Sequence, residues 1–123
     1  MPIAEVCDRL TIAELKLERL TADQIDKDLL VRQIAYYMQG IDQADSELLI
    51  LISKLKEING WMWDAEHTIR KGLDESLGLE EIGRRALVIR DLNRKRIQVK
   101  NDITIRCNQP EFQDCKMNHA SSG

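Results

Sequence analysis

Seven polar side chains recur at helical spacing in three separate parts of the chain. They are Lys16, Asn59, Glu66, Arg70, Asn93, Arg96 and Lys100. Asn59, Glu66 and Arg70 are 7 and 4 residues apart, so a helix places them on one face. If the helices that carry these side chains pack together, we expect a half-buried network around Glu66, with Lys16, Arg70 and Arg96 as its cations.

A network with more cations than carboxylates predicts an anionic ligand, such as phosphate, a carboxylate or a sugar nucleotide. The alternative interpretation is structural. Long cationic side chains cover apolar surface, and a carboxylate among arginines fixes the register of packed helices. Both interpretations stay open, and we treat the seven residues as candidate ligand-binding residues with no assigned catalytic role.

Metal and nucleophile chemistry find little support in the sequence. Glu66 and His67 are adjacent, and successive helical positions diverge by about 100°, so they cannot chelate a metal as residues three or four apart can. Cys107, Cys115 and His119 lack the close cysteine pair of structural zinc sites. Phosphate-binding glycine loops, nucleophile elbows and the H-E-x-x-H motif do not occur. We therefore expect no metal and no cofactor, and we favour a non-enzymatic protein.

Positive charge is concentrated late in the chain, although the net charge is −3. Residues 84–106 hold 8 basic and 2 acidic side chains, whereas residues 1–83 hold 9 basic and 17 acidic ones. The basic segment either packs against acidic helices of its own fold, which we favour, or faces an anionic partner. Nucleic acid is not the expected partner, because this segment has no aromatic side chain to stack on bases.

Apolar residues at helical spacing predict four helices and no sheet, so the fold class is all-α. The first apolar stripe runs from Ile3 to Leu20. Thr21 opens the sequence T-A-D-Q, a capping box that predicts the start of helix two. Gly40, followed by Asp42 and Asp45, predicts the end of helix two and a new N-cap for helix three.

Helices three and four are predicted to be the longest and to form an antiparallel hairpin. An apolar 3–4 repeat from Leu48 to Ile69 marks helix three, and residues 79–106 form helix four after a loop at 72–78. The run LLILI, which begins at Leu48, surrounds helix three with apolar side chains, more than one antiparallel neighbour covers. We therefore expect a homodimer or a higher helical bundle.

The length of 123 residues leaves little room for a second core, so we expect a single helical domain at residues 1–106. Residues 107–123 are mostly polar, and we expect a flexible tail there. No run reaches the roughly 18 apolar residues that a membrane span needs. The first residues lack the apolar core of a signal peptide, which favours a cytoplasmic protein without membrane contact.

The seven candidate residues lie in the segments DRLTIAELKLERL, LKEINGWMWDAEHTIR and IRDLNRKRIQVKNDI. Together these segments resemble a family of small, uncharacterised, all-helical bacterial proteins, a domain of unknown function. The resemblance spans residues 3–106 with gaps, and it implies an all-helical fold and no assigned activity. Our leading hypothesis is a self-associating helical protein that binds a small anion or a protein partner. The alternatives are an enzyme of phosphate or sugar-nucleotide metabolism with a pocket between helices, or nucleic-acid binding through residues 84–106.

Overall fold

Four helices account for most of the residues that the structure, a computed structural model, describes, which are 1–74 and 78–108. The helices are α1 (Ile3–Arg19), α2 (Lys27–Gln39), α3 (Ser46–Asp74) and α4 (Leu79–Cys107), and no strand occurs in those ranges. The predicted all-α class is confirmed. Residues 75–77 of the predicted loop and the predicted tail from residue 109 onward, with Cys115 and His119, lie outside the described residues.

Helix α1 packs against each of the other helices, so it is buried on more than one side. Asp8 and Thr11 face α3, where both accept hydrogen bonds from Asn59. Val6 lies on another face of α1, next to Gly40 at the end of α2. A Cβ placed on Gly40 would come within 3.1 Å of Val6 Cγ1, so the glycine permits α1 and α2 to approach closely there. The apolar stripe predicted for helix one therefore faces α2 at Val6, whereas the face with Asp8 and Thr11 that contacts α3 lies outside that stripe.

Helix α2 begins later than the sequence predicts. Only half of the capping box forms, since the Thr21 backbone N–H donates to Gln24 Oε1 at 2.9 Å. The Gln24 N–H donates to the Thr21 carbonyl at 2.9 Å, which closes a turn and opens no helix. The helix begins at Lys27, because Asp26 Oδ1 accepts from the Leu29 N–H at 3.0 Å and acts as the N-cap. The predicted start at Thr21 is therefore wrong, because Asp26 caps the helix instead.

Helices α3 and α4 pack along each other as the predicted long hairpin. The predicted N-cap is confirmed, because Asp45 Oδ1 accepts from the Leu48 N–H at 2.9 Å. At the other end, α4 continues through Cys107, which is buried in the same core cluster as Cys7 and Leu55. Cys107 thus belongs to the helical domain and not to the predicted tail.

The contacts of α1 fix the direction of each helix. Along α1, Thr11 contacts Asn59 and Arg19 contacts Asp64, so α1 runs parallel to α3. Helix α4 runs antiparallel to both, since Glu5 contacts Lys100 and Asp8, farther along α1, contacts Arg96, which comes earlier in α4.

Helix α1 is too short to cover the whole hairpin. It has 17 residues, whereas α3 and α4 have 29 each, and its last ion pair joins Arg19 to Asp64 at 2.8 Å. We call residues 46–64 and 93–107 the base of the hairpin, and residues 65–74 and 79–92 its arm. At 1.5 Å per residue, α3 extends about 15 Å past Asp64.

Burial follows the same division. Among residues 46–72 the last buried side chain of α3 is Asn59, and the buried residues of α4 are Val99, Ile103 and Cys107. Apolar side chains in the arm are half-buried, as at Ile69, or exposed, as at Leu87 and Val88. In the two described ranges, no helix is both long enough and apolar enough to cross a membrane.

Candidate functional site

A polar network joins α1, α3 and α4, but its centre is Asp8 and not Glu66. Asp8 is 2% exposed, and its carboxylate accepts hydrogen bonds from Arg96 Nε at 3.1 Å, from Arg96 Nη2 and from Asn59 Nδ2 at 2.9 Å. Asn59 Nδ2 also donates to Thr11 Oγ1 at 2.9 Å, and Thr11 Oγ1 donates to the Asp8 carbonyl at 2.8 Å. Each of the three helices therefore contributes to one buried cluster.

Lys100 and Glu5 extend this cluster toward solvent. Lys100 Nζ donates to Glu5 Oε1 at 2.5 Å and lies 3.8 Å from Asp8 Oδ2. Asn93 Oδ1 accepts from Arg96 Nη1 at 3.3 Å. Two carboxylates thus face two cations, so the positive charge of the network is already neutralised within the chain.

Both central groups stay charged. Burial raises the pKa of the Asp8 carboxyl, but the hydrogen bonds from Arg96 and Asn59, with the charges of Arg96 and Lys100, more than offset this, and the pKa lies below its ordinary value. The hydrogen bond to Asp8 is the largest cause that raises the pKa of Arg96. The pair is therefore an ion pair at neutral pH.

The structure brings together four of the seven candidates and leaves three outside. Those at the network are Asn59, Asn93, Arg96 and Lys100. The others are Lys16, Glu66 and Arg70, which are exposed and make no side-chain hydrogen bond or ion pair within the part of the chain that is described. Glu66 fails to join because it lies 7 residues past Asn59, about 10 Å farther along α3.

Glu66 instead lines a small cleft beside the network, between α1, α3 and α4. The cleft has a volume of about 240 Å³ and is lined by Ile12, Leu15, Asn59, Met62, Trp63, Glu66 and Arg96. Arg19 closes one side of this region, with its guanidinium carbon 5.8 Å from the centre of the Trp63 ring. Ligand pockets usually enclose roughly 300–1,000 Å³, so this cleft is small for an organic substrate.

The basic segment at residues 84–106 is paired largely within its own fold. Its cross-helix and local pairs are Arg84 with Glu80 and Glu81, Arg85 with Glu81, Arg96 with Asp8, Lys100 with Glu5, and Arg106 with Asp45 and Glu47. Arg90 and Arg94 are exposed, and both lie within 4.0 Å of Asp91. The segment is therefore largely neutralised by acidic side chains of the same chain.

Sequence reasoning missed Asp8, Thr11 and Glu5. A signal for two of them was present, because Asp8 and Thr11 lie between Ala4 and Leu15 at spacings of 4, 3 and 4. That spacing places a polar pair inside a buried stripe of α1, where each polar group needs a partner.

Within the described ranges, no group of three or more His, Cys, Asp or Glu side chains is placed to hold a metal ion. Comparison of the chain with protein-family models, with curated protein sequences and with solved structures finds no match. The family resemblance of the three sequence segments therefore stays a prediction.

Proposed function

We propose that the chain is a non-enzymatic helical protein that associates with further copies of itself through the arm of the α3–α4 hairpin. The observation that carries this proposal is that α1 ends at Arg19, beside Asp64, while both hairpin helices continue. A pair of helices without a third neighbour leaves one side of its apolar seam in water. In the arm that seam contains the half-buried side chains Ile69, Ile82, Ile89 and Leu92.

A second hairpin is a suitable cover for this seam. The apolar 3–4 repeat of α3 continues past the base to Ile69, and a repeat of this kind packs against other helices with the same spacing. Two arms side by side would make a four-helix arrangement in which each seam faces another. Association between copies therefore supplies the neighbours that α1 is too short to provide.

The outer face of α3 offers a less continuous surface. Leu49 and Ile50 of the LLILI run are 50% and 56% exposed, because α1 and α4 cover only two sides of α3. Between Ile50 and the exposed Trp61, however, this face carries Lys54 and Glu57. Charged side chains interrupt the apolar surface there, which favours the arm.

Ligand functions receive less support from the geometry. An anion would have to compete with Asp8 for Arg96 and with Glu5 for Lys100. An enzyme pocket at the candidate residues Glu66 and Arg96 would have to form in the cleft of about 240 Å³. Neither requirement arises for association through the arm.

Mass measurement by light scattering tests the proposal. The monomer mass is 14.2 kDa, and we expect at least twice that value for the wild type at micromolar concentration. Replacing Ile89→Asn in the arm should weaken association by roughly tenfold or more, because an apolar side chain is lost from the interface. The matched control is Ile105→Asn, at an outward position of the same helix that is 64% exposed, and it should leave the mass unchanged.

Circular dichroism of both variants checks that the helices still form. A wild-type mass of one chain at concentrations up to roughly 100 µM, where even weak dimers assemble, would contradict the proposal.

A further inference from the structure

We propose that two copies pair through their arms in antiparallel fashion, with Glu66 of one copy opposite Arg70 of the other. This inference rests on the proposed self-association and gives it a direction and a register. It also gives a role to two candidate residues that the polar network leaves outside.

Glu66 and Arg70 lie on the face of α3 that α1 covers in the base. Asn59 shares this face by helical spacing, and its amide bonds to α1 at Asp8 and Thr11. Beyond the end of α1 the same face is uncovered. Both Glu66 and Arg70 are exposed there, and neither makes a side-chain hydrogen bond or ion pair with any residue in the described ranges.

The position of α1 selects the direction of pairing. If two copies met on this face with their bases side by side, both α1 helices would lie between the two hairpins. Packed helices lie about 8–10 Å apart, so arms in contact leave no room for two further helices between the bases. In the antiparallel arrangement each arm instead lies past the end of the other copy's α1, and only the arms face each other.

The charges on α3 agree with this direction. A two-fold axis midway between Glu66 and Arg70 places Glu66 of each copy opposite Arg70 of the other, because a two-fold contact is reciprocal. Parallel α3 helices would place Glu66 opposite Glu66 and Arg70 opposite Arg70, and like charges across an interface oppose binding. Ile69, which is half-buried, lies beside the charged pair in the arm and supplies apolar surface.

Charge reversal tests the register, with sedimentation equilibrium at about 50 mM salt, where surface charges are weakly screened, as the measurement. Glu66→Arg and Arg70→Glu should each weaken the dimer by about tenfold, because each variant turns both attractive pairs repulsive. The double variant, Glu66→Arg with Arg70→Glu, should associate like the wild type. An equimolar mixture of the two single variants should form heterodimers of similar strength.

The mixture separates contacts between copies from effects within one helix, since each chain in it keeps its own like-charged neighbours. The control is Glu57→Arg. Glu57 lies 9 residues before Glu66, which places it on the opposite face of α3, so this variant should not change association.

Each result has a distinct meaning. A monomeric wild type would overturn the proposed self-association and this pairing with it. A dimeric wild type whose single variants associate normally, or whose double variant stays as weak as the single ones, would overturn only the antiparallel pairing.

Discussion

Arg96 of α4 donates a hydrogen bond of 3.1 Å from Nε to Asp8 Oδ1 of α1, and the two residues are 88 positions apart in the chain. Asn59 of α3 donates to the same carboxylate oxygen at 2.9 Å. A buried carboxylate is stable only when charges and donors compensate its lost hydration. Asp8 therefore fixes how far along the hairpin α1 can bind.

The Asp8→Asn substitution should destabilise the fold. The substitution keeps the size of the side chain but leaves Arg96 without its counter-charge and places an amide group against the Asn59 amide. We expect a loss of about 2 to 3 kcal/mol, below the full cost of breaking a wholly buried pair because Arg96 is partly exposed. Urea unfolding followed by circular dichroism measures this loss.

The matched control for that substitution is Asp64→Asn. Asp64 also pairs with an arginine of another helix, Arg19 at 2.8 Å, but its side chain is 65% exposed. An exposed pair contributes about 0 to 1 kcal/mol, so we expect a much smaller change. Equal losses for both variants would contradict the central role of Asp8.

The contribution of Asp8 should also depend on pH. Burial raises the pKa of the folded Asp8 carboxyl, but the hydrogen bonds from Arg96 and Asn59 and the charges of Arg96 and Lys100 outweigh this effect, so the pKa lies below the ordinary 3.8. The folded chain therefore binds this proton more weakly than the unfolded chain. The stabilisation is present above the unfolded pKa and is lost as the pH falls through the folded one.

We thus expect the stability difference between the wild type and Asp8→Asn to stay constant from about pH 7 to pH 5 and to shrink below about pH 4. The pKa values of Asp45 and Glu81 are also lowered, but both residues remain in the two proteins and their effects cancel. A difference that persists unchanged at pH 2.5 to 3, roughly a unit below the ordinary carboxyl value, would contradict this assignment.

Gly60 allows Arg19 to reach the surface of α3. A Cβ on Gly60 would lie 3.1 Å from Arg19 Nη2, and Arg19 Nη1 donates to the Gly60 carbonyl at 3.2 Å. Gly60→Ala should displace this flexible guanidinium, which offsets the gain of about 1 kcal/mol expected from replacing a glycine inside a helix. We expect almost no net change in the thermal unfolding midpoint.

The offset can be removed by combining Gly60→Ala with Arg19→Ala. In that background the same alanine should stabilise the protein by about 1 kcal/mol, because no guanidinium has to move. A thermodynamic cycle from urea unfolding of the four proteins gives the coupling energy. A coupling energy of zero would show that the contact of Arg19 with α3 does not depend on the absence of a side chain at Gly60.

Cys7 should be unreactive in the folded protein. Burial, followed by the negative charges of Cys107 and Asp8, raises the pKa of its thiol from 9.0 to about 12. The thiolate is the reactive form, so alkylation by iodoacetamide at pH 8 should be roughly a thousandfold slower than in denaturant. Mass spectrometry of the peptide that contains Cys7 measures the rate, and equal rates in both states would refute the expectation.

The same shift has a consequence for stability at high pH. Above 9.0 the thiol ionises in the unfolded chain while it stays neutral in the folded one. The folded state therefore loses stability as the pH rises from 9.0 toward 12. Cys7→Ala should remove this part of the pH dependence.

Helix type and hairpin topology were predictable because they depend on local spacing. The 3–4 repeat from Leu48 to Ile69 specifies one continuous helix, and Asp45 has the side chain and position of an N-cap. At the start of helix two, the same reasoning selected Thr21 and passed over Asp26, which lies five residues later and also has a capping side chain. Local propensity alone does not rank them, and the structure uses the second.

The polar network was predictable only in part. Helical spacing shows which side chains share a face, so Asn59, Arg96 and Lys100 could be selected from the sequence. It does not show how far one helix is shifted along another, and this shift decides whether Asp8 or Glu66 meets Arg96. Helix α1 made the prediction harder, because it is buried on more than one side. A single apolar stripe describes one buried face only, and Asp8 and Thr11 lie on another.

Because α1 is shorter than the hairpin helices, the base and the arm should also differ in their rates of hydrogen exchange. Backbone amide protons near Leu55, which is fully buried, should exchange with deuterium only when the entire chain unfolds. Those near Ile69 and Ile89, where two helices have only each other, should exchange through local fraying of an isolated copy. The base should therefore keep its shape in a single copy, and the arm is the part that would gain order in the proposed pairing.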